Sequence, residues 1–266
     1  MGRKVEKITI ILVSFVIFTL LIGPRSLISG EPQDISARAV AEKVFNRDIG
    51  RDSKALMHMI LRDKNGRERI RKFEALALDD GSTRYSIIRF LSPKDIRGTT
   101  FLNISHDNGE NEQYLYLPAL RRTRRIVGSV KKRRFVNSDF TYEDLERRDP
   151  KKDSHRIIGE DDLLGHECWV LESIPKKDAQ SQYSKIVQWI TKDGFVPVKI
   201  DLYDKKGRLS KRFTVKRLEK IDGIWTVDDA IMRDLKKKRE TEIVLDEIHY
   251  NIGLSKTMFS RNALGQ

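Results

Sequence analysis

Apolar residues fall at Ala37, Val40, Ala41, Val44 and Phe45, spaced i, i+3, i+4, i+7 and i+8. That spacing predicts an amphipathic helix with one apolar face. Asp34 or Ser36 supplies a capping oxygen, and Gly50 ends the segment. Beyond it the period drops to two. Over 54–62, Leu56, His58 and Ile60 alternate with Ala55, Met57, Met59 and Leu61. Asp63-Lys64-Asn65-Gly66 then reads as a hairpin turn, with 67–78 as the return strand. The same reasoning places strands at 83–91, 99–105, 113–118, 154–159, 166–174, 184–191, 195–203, 208–218, 224–234 and 240–250. Glycine-bearing turns at 79–82, 107–109, 192–194, 205–207 and 221–223 separate several of them. In 195–203, Val196, Val198, Ile200 and Leu202 face one way, and Lys199 and Asp201 the other. A second helix is predicted over 138–145, capped by Ser138 or Asp139, and a last short one from Ser255.

About a dozen antiparallel strands joined by short hairpins curl rather than stay flat. The fold expected is mainly β with a few helices (α+β): a curved antiparallel sheet forming an incomplete barrel, with helices capping an apolar cavity. No linker or internal repeat divides the chain, so residues 31–266 are read as one domain.

Residues 1–30 are of another kind. Arg3, Lys4 and Lys7 precede an uncharged, Ile/Leu/Val/Phe-rich run from Ile8 to Pro24, followed by Arg25 and a polar exit. This is the layout of a secretory signal cleaved after Gly30. An uncleaved inner-membrane anchor is the competing reading, since the run sits at the short end of the spanning range. Either way the remainder is exported to the periplasm. No cysteine follows the run, so the protein is not itself a lipoprotein.

Export changes what the charge means. The formal net charge of +13 suggests nucleic acid on its own, but an exported chain meets none. Removing residues 1–30, with Arg3, Lys4, Lys7 and Arg25 against Glu6, leaves +10. The single cysteine, Cys168, excludes a disulfide framework and cysteine-based zinc sites. Its neighbours Trp169, Val170 and Leu171 mark it as buried in a strand. The chain lacks a Walker loop, a G-x-G-x-x-G after a strand, a G-x-S-x-G elbow and an H-E-x-x-H helix. His58, His106, His155, His166 and His249 are scattered, and Glu160-Asp161-Asp162 reads as a solvated turn without calcium-loop spacing. No enzyme activity, cofactor or metal is expected. The conspicuous feature is basic: Arg121, Arg122, Arg124, Arg125, Lys131, Lys132, Arg133 and Arg134, with no acid among them. Such a run attracts anionic headgroups or an acidic partner, and a solvated loop is the plain alternative. Lys236 to Arg239, beside Arg233, reads as a hairpin tip.

Three ordered segments carry a resemblance: 92–102 (SPKDIRGTTFL), 114–126 (YLYLPALRRTRRI) and 138–145 (SDFTYEDL), with 258–264 (MFSRNAL) at the end. Together they resemble the outer-membrane lipoprotein-sorting protein family, relatives of the periplasmic carrier LolA. Asn137 stands where the family usually has glycine, and asparagine tolerates positive φ. The resemblance implies a half-barrel over an apolar cavity that holds acyl chains of a lipid or lipoprotein. Phe101, Leu102, Leu115, Leu117, Phe140, Tyr142, Val198, Ile200 and Trp225 are the candidate cavity residues. It also implies contact with a membrane protein such as an RND-type exporter; contact with a membrane surface is the expectation from the basic run. An envelope regulatory module that grips a membrane protein without carrying cargo is the alternative function. A monomer is expected.

Overall fold

The computed structural model describes residues 35–107 and 109–265, so the export signal expected over 1–30 lies outside the described residues. Among the described residues, alternating side chains and tight turns build thirteen antiparallel strands in one sheet. A first meander comprises β1 (Asp52–Arg62), β2 (Glu68–Asp79), β3 (Thr83–Ser92), β4 (Thr100–His106), β5 (Glu112–Leu117) and β6 (Arg122–Arg125). A second comprises β7 (Asp153–Leu163), β8 (His166–Pro175), β9 (Lys185–Thr191), β10 (Pro197–Tyr203), β11 (Leu209–Ile221), β12 (Ile224–Asp234) and β13 (Arg239–Tyr250). β13 pairs with β1, so the two meanders join mid-sheet and β6 and β7 become its two free edges. The sheet is therefore open, not a closed barrel. The β1–β2 turn shows the local chemistry. The Asp63 carboxylate accepts the Asn65 and Arg67 amides at 2.8 and 3.1 Å, while Gly66 takes a φ of 77°. Glycine adopts that left-handed conformation without steric cost.

α1 (Ala37–Phe45) starts at Ser36, whose Oγ accepts the Ala39 amide at 3.1 Å. Its buried Val40 and Ala41 pack on Leu171 of β8 and Ile190 of β9. Because β6 and β7 lie at opposite edges, residues 126–152 must recross the sheet, and they do so as a strap against one face. Ile126, Phe135, Phe140 and Tyr142 of the strap are buried with Met59, Phe73, Phe90, Phe101, Leu115 and Met232 of the strands. Phe135 is central, with ring centroids 5.1 Å from Phe101, 5.7 Å from Tyr142 and 5.9 Å from Phe90. Each such pair adds about 1 kcal/mol beyond burial. Side chains alternate across β4, so Leu102 points away from this face. There Leu102, Leu76, Leu78 and Ile87 are covered by Phe259 and Leu264 from two C-terminal 3-10 turns. Asp52 fastens that tail by accepting the Ile252 and Gly253 amides at 2.8 and 3.0 Å.

Four expectations are corrected. The helix over 138–145 does not form; short 3-10 turns at Phe135–Asn137 and Glu143–Leu145 stand in its place. Ser138 Oγ instead donates to the Phe135 carbonyl at 2.7 Å, and Asp139 Oδ2 accepts from Thr241 Oγ1 of β13 at 2.9 Å. A helix this short is marginal by itself, so tertiary bonds decide the conformation. The cover is thus a strap, with α1 the one α-helix among the described residues. Second, the row Val196–Val198–Ile200–Leu202 is split by a register shift against β9 between Pro197 and Lys199, a bulge. Val196 and Val198 join Cys168, Val215 and Ala230, whereas Ile200 and Leu202 pack under the strap. Third, Glu160, Asp161 and Asp162 lie in edge strand β7, not in a turn. Glu160 pairs with Lys192 at 2.7 Å, and Asp161 accepts from Trp189 Nε1 at 2.9 Å. Fourth, the basic run contains a strand: Arg122–Arg125 pairs with β5 as β6, though it has no apolar period.

Candidate functional site

Between α1, the strap and the second meander lies a cavity of about 390 Å³. Its wall is apolar. Val44 and Phe45 come from α1, Phe140 from the strap, Ile186 from β9, Ile200 and Leu202 from β10, Phe213 from β11 and Met232 from β12. The register explains the wall. Ile200 stands opposite Phe213, and Phe213 opposite Met232, so one cross-strand row faces inward.

The rim is polar, and most of it is internally paired. Arg148 forks onto Asp153 with both bonds at 2.6 Å. Burial opposes the Arg148 charge, but Asp153, Glu143 and Glu146 outweigh it and raise its pKa. Asp144 accepts the Tyr183 hydroxyl at 2.6 Å and Lys211 Nζ at 2.8 Å. Burial first, and then the Asp144 charge, push the Tyr183 phenol far up, so it remains a donor. The His155 ring bridges Ser173 Oγ at 2.9 Å and the Pro150 carbonyl at 2.8 Å. Arg147 donates to the Phe45 carbonyl from Nε and Nη2 at 3.0 and 2.9 Å, and from Nη1 to Asp107 at 2.7 Å. Its guanidinium also lies 3.4 Å from the Phe45 ring centroid. A free carbonyl at the C-terminal end of α1 is thereby satisfied, and the helix is fixed as a wall. Gln188, also in the lining, has an amide with no hydrogen bond to the described residues.

Of the residues expected in a cavity, Phe140 and Ile200 line this one. Phe101, Leu115, Leu117 and Tyr142 share its face but pack where Phe135 fills the space. Burial pushes the Tyr142 phenol up as well. Leu102 lies on the opposite face beneath the C-terminal tail. Val198 and Trp225 belong to the cluster around Cys168, whose thiol is pushed up by burial. Val44, Tyr183, Phe213 and Met232 complete the wall without having been singled out. Val44 was visible as part of the helical apolar face. Phe213 and Met232 become neighbours of Ile200 only once the strand register is known.

The basic run divides. Lys131 pairs with Glu146 at 2.6 Å, and Arg134 Nε donates to the Ser138 carbonyl at 2.7 Å. Arg121, Arg122, Arg124, Arg125, Lys132 and Arg133 are exposed and have no ion pair among the described residues. Among the described residues no cluster of His, Cys, Asp or Glu is placed to hold a metal ion, and no helix is long and apolar enough to cross a membrane.

A family model described as that of an uncharacterised protein matches residues 82–266. Among solved structures, the chain is similar to a DUF1329 family protein from Desulfovibrio piger. The two are 34% identical over 86% of this chain and 97% of that one, with a TM-score of 0.79. It is also similar to an outer membrane lipoprotein-sorting protein domain from Vibrio parahaemolyticus, at 33% identity over 86% and 98% of the two chains and a TM-score of 0.80. A LolA superfamily protein from Nitrosomonas europaea shares the fold, at 18% identity over 86% and 99% of the chains and a TM-score of 0.65. No curated protein matches the sequence.

Proposed function

The chain belongs to the DUF1329 family of LolA-like, outer-membrane lipoprotein-sorting proteins, and on that premise we propose that it binds acyl chains of a lipid or lipoprotein in the cavity under the strap and carries them through the periplasm. The observation that carries this reading is an apolar wall enclosing about 390 Å³ behind a largely paired polar rim. That volume lies in the range of small-molecule sites, and each methylene taken from water contributes about 0.8 kcal/mol. Gln188 offers an amide to an ester or amide carbonyl of the ligand. The rim groups Asp144, Arg148, Asp153 and His155 are already engaged with one another or with neighbours, which favours holding over turnover.

The test is displacement of a fluorescent fatty-acyl probe, combined with native mass spectrometry of protein taken from its own envelope. Val44→Trp, which fills the cavity from α1, should weaken probe binding at least about tenfold, because several buried methylenes are displaced. Protein that carries no lipid and takes up no probe sinks the carrier reading. Capture of an exporter-type membrane protein by such protein would then favour the regulatory module.

A further inference from the structure

The six cations without an ion pair among the described residues fall within one short stretch of chain at the sheet edge, where Arg122 and Arg124 stand opposite Leu117 and Leu115 on the strap face and Arg125 opposite Tyr114 on the other. Arg122, Arg124 and Arg125 lie on β6, Arg121 immediately precedes it, and Lys132 and Arg133 follow in and after the 3-10 turn Gly128–Lys132. Two large apolar side chains sit among them, Leu120 at 56% exposure and Val127 at 51%. They bracket the four-residue strand. Exposed leucine and valine interleaved with arginine is the composition of an interfacial membrane contact, with apolar tips among the acyl chains and guanidinium forks on phosphates.

We propose that residues 120–133 dock the protein onto an anionic phospholipid bilayer. An acidic protein strand is a poorer occupant. β6 is only four residues long, and Arg121 takes a left-handed φ of 46° at its start, so an added strand finds a short, broken ladder. The surface also adjoins the cavity. A polar hollow of about 290 Å³ lies against Arg125, Val127 and Lys132, and its walls include Glu143, Glu146 and Arg148, which also line the apolar cavity. Docking here sets that side of the rim at the membrane. The assignment stands whatever the cavity holds.

Vesicle co-sedimentation of the full chain tests it, using phosphatidylcholine vesicles with and without phosphatidylglycerol. Each cation held at an anionic surface strengthens partition about fivefold. The combined Arg121→Ala, Arg122→Ala, Arg124→Ala and Arg125→Ala variant should therefore lose roughly 600-fold in phosphatidylglycerol binding. Leu120→Ser with Val127→Ser should weaken binding about tenfold, and this loss should persist when salt screens the charges. Equal partition of the unaltered chain into both vesicle types, or an arginine variant that binds unchanged, overturns the proposal. So does a polyglutamate peptide that binds as tightly as the vesicles while the Leu120/Val127 variant keeps full vesicle binding, since the occupant is then an acidic protein segment. Acyl-probe uptake in solution should be unchanged in both variants, so this proposal and the cavity reading fail separately.

Discussion

Asp139 fastens the strap to the sheet. It is 3% exposed, its Oδ2 accepts from Thr241, and its Oδ1 lies 3.1 Å from Arg239. Arg71 adds a bond to the Val136 carbonyl, and Arg134 one to the Ser138 carbonyl. These donors surround a turn in which Val136 and Asn137 take φ values of 41° and 63°. Asparagine tolerates that region, whereas a β-branched valine there is strained and must be held. In sequence, Ser138-Asp139 reads as a helix cap because its real partner, Thr241, is 102 positions away. Removing Asp139 leaves Arg239 with Asp234 alone among the described residues, 3.5 Å away, and Thr241 without its acceptor, so Asp139→Ala should cost about 2–3 kcal/mol. Thr241→Val, which removes a neutral hydrogen bond, should cost about 1 kcal/mol. Urea unfolding measures both, and a loss below about 0.5 kcal/mol for Asp139→Ala would place the fastening elsewhere.

At the scale of elements, strands whose two faces differ in polarity were legible, with most ends displaced by a residue or two, while β7 and β11 run four and three residues beyond their expected ends. Alternation in β1 to β5 and glycine turns between strands carried that information locally. β6 escaped because its residues are Arg-Thr-Arg-Arg: an edge strand held by β5 needs no apolar face, and its charges discourage edge-to-edge pairing. The split row in β10 escaped because a bulge is set by the neighbouring strand. The motif near the C-terminus was legible as a family ending, but its work is packing. Phe259 is 2% exposed and its ring lies tilted against Tyr85 with centroids 5.9 Å apart, closing the face that carries Leu76, Ile87 and Leu102. Phe259→Ala should therefore cost about 3–4 kcal/mol and raise binding of a hydrophobic dye. An unchanged denaturation midpoint would mean the tail is dispensable to this face.

For the whole molecule, the +13 net charge is distributed unevenly. Much of the basic complement is laced into carboxylates, as in Arg62 with Glu68, Glu240 and Glu242, while six cations without an ion pair among the described residues fall within residues 121–133. That lacing makes the fold acid-sensitive. Hydrogen bonds from Lys216 and Arg62 hold Glu242 below its usual pKa against the opposing effect of burial. The Arg156 bond does the same for Glu172, and the Tyr114 hydroxyl for Glu112. At Asp52, burial acts upward but is outweighed by Arg51 and the tail amides. A carboxylate with a lower pKa folded than unfolded stabilises the fold above the unfolded value and loses that contribution as pH falls through the folded one. Stability should thus decline as pH drops below about 4.5, the ordinary glutamate range. Each protonation also adds to the positive surplus, so self-repulsion steepens the decline, and added salt should recover part of it. Glu242→Gln should flatten the slope while lowering stability at neutral pH, because it removes the titrating group and weakens both cation contacts. A denaturation series from pH 7 to pH 3 reads both effects, and stability that rises on acidification would contradict this account of the charge.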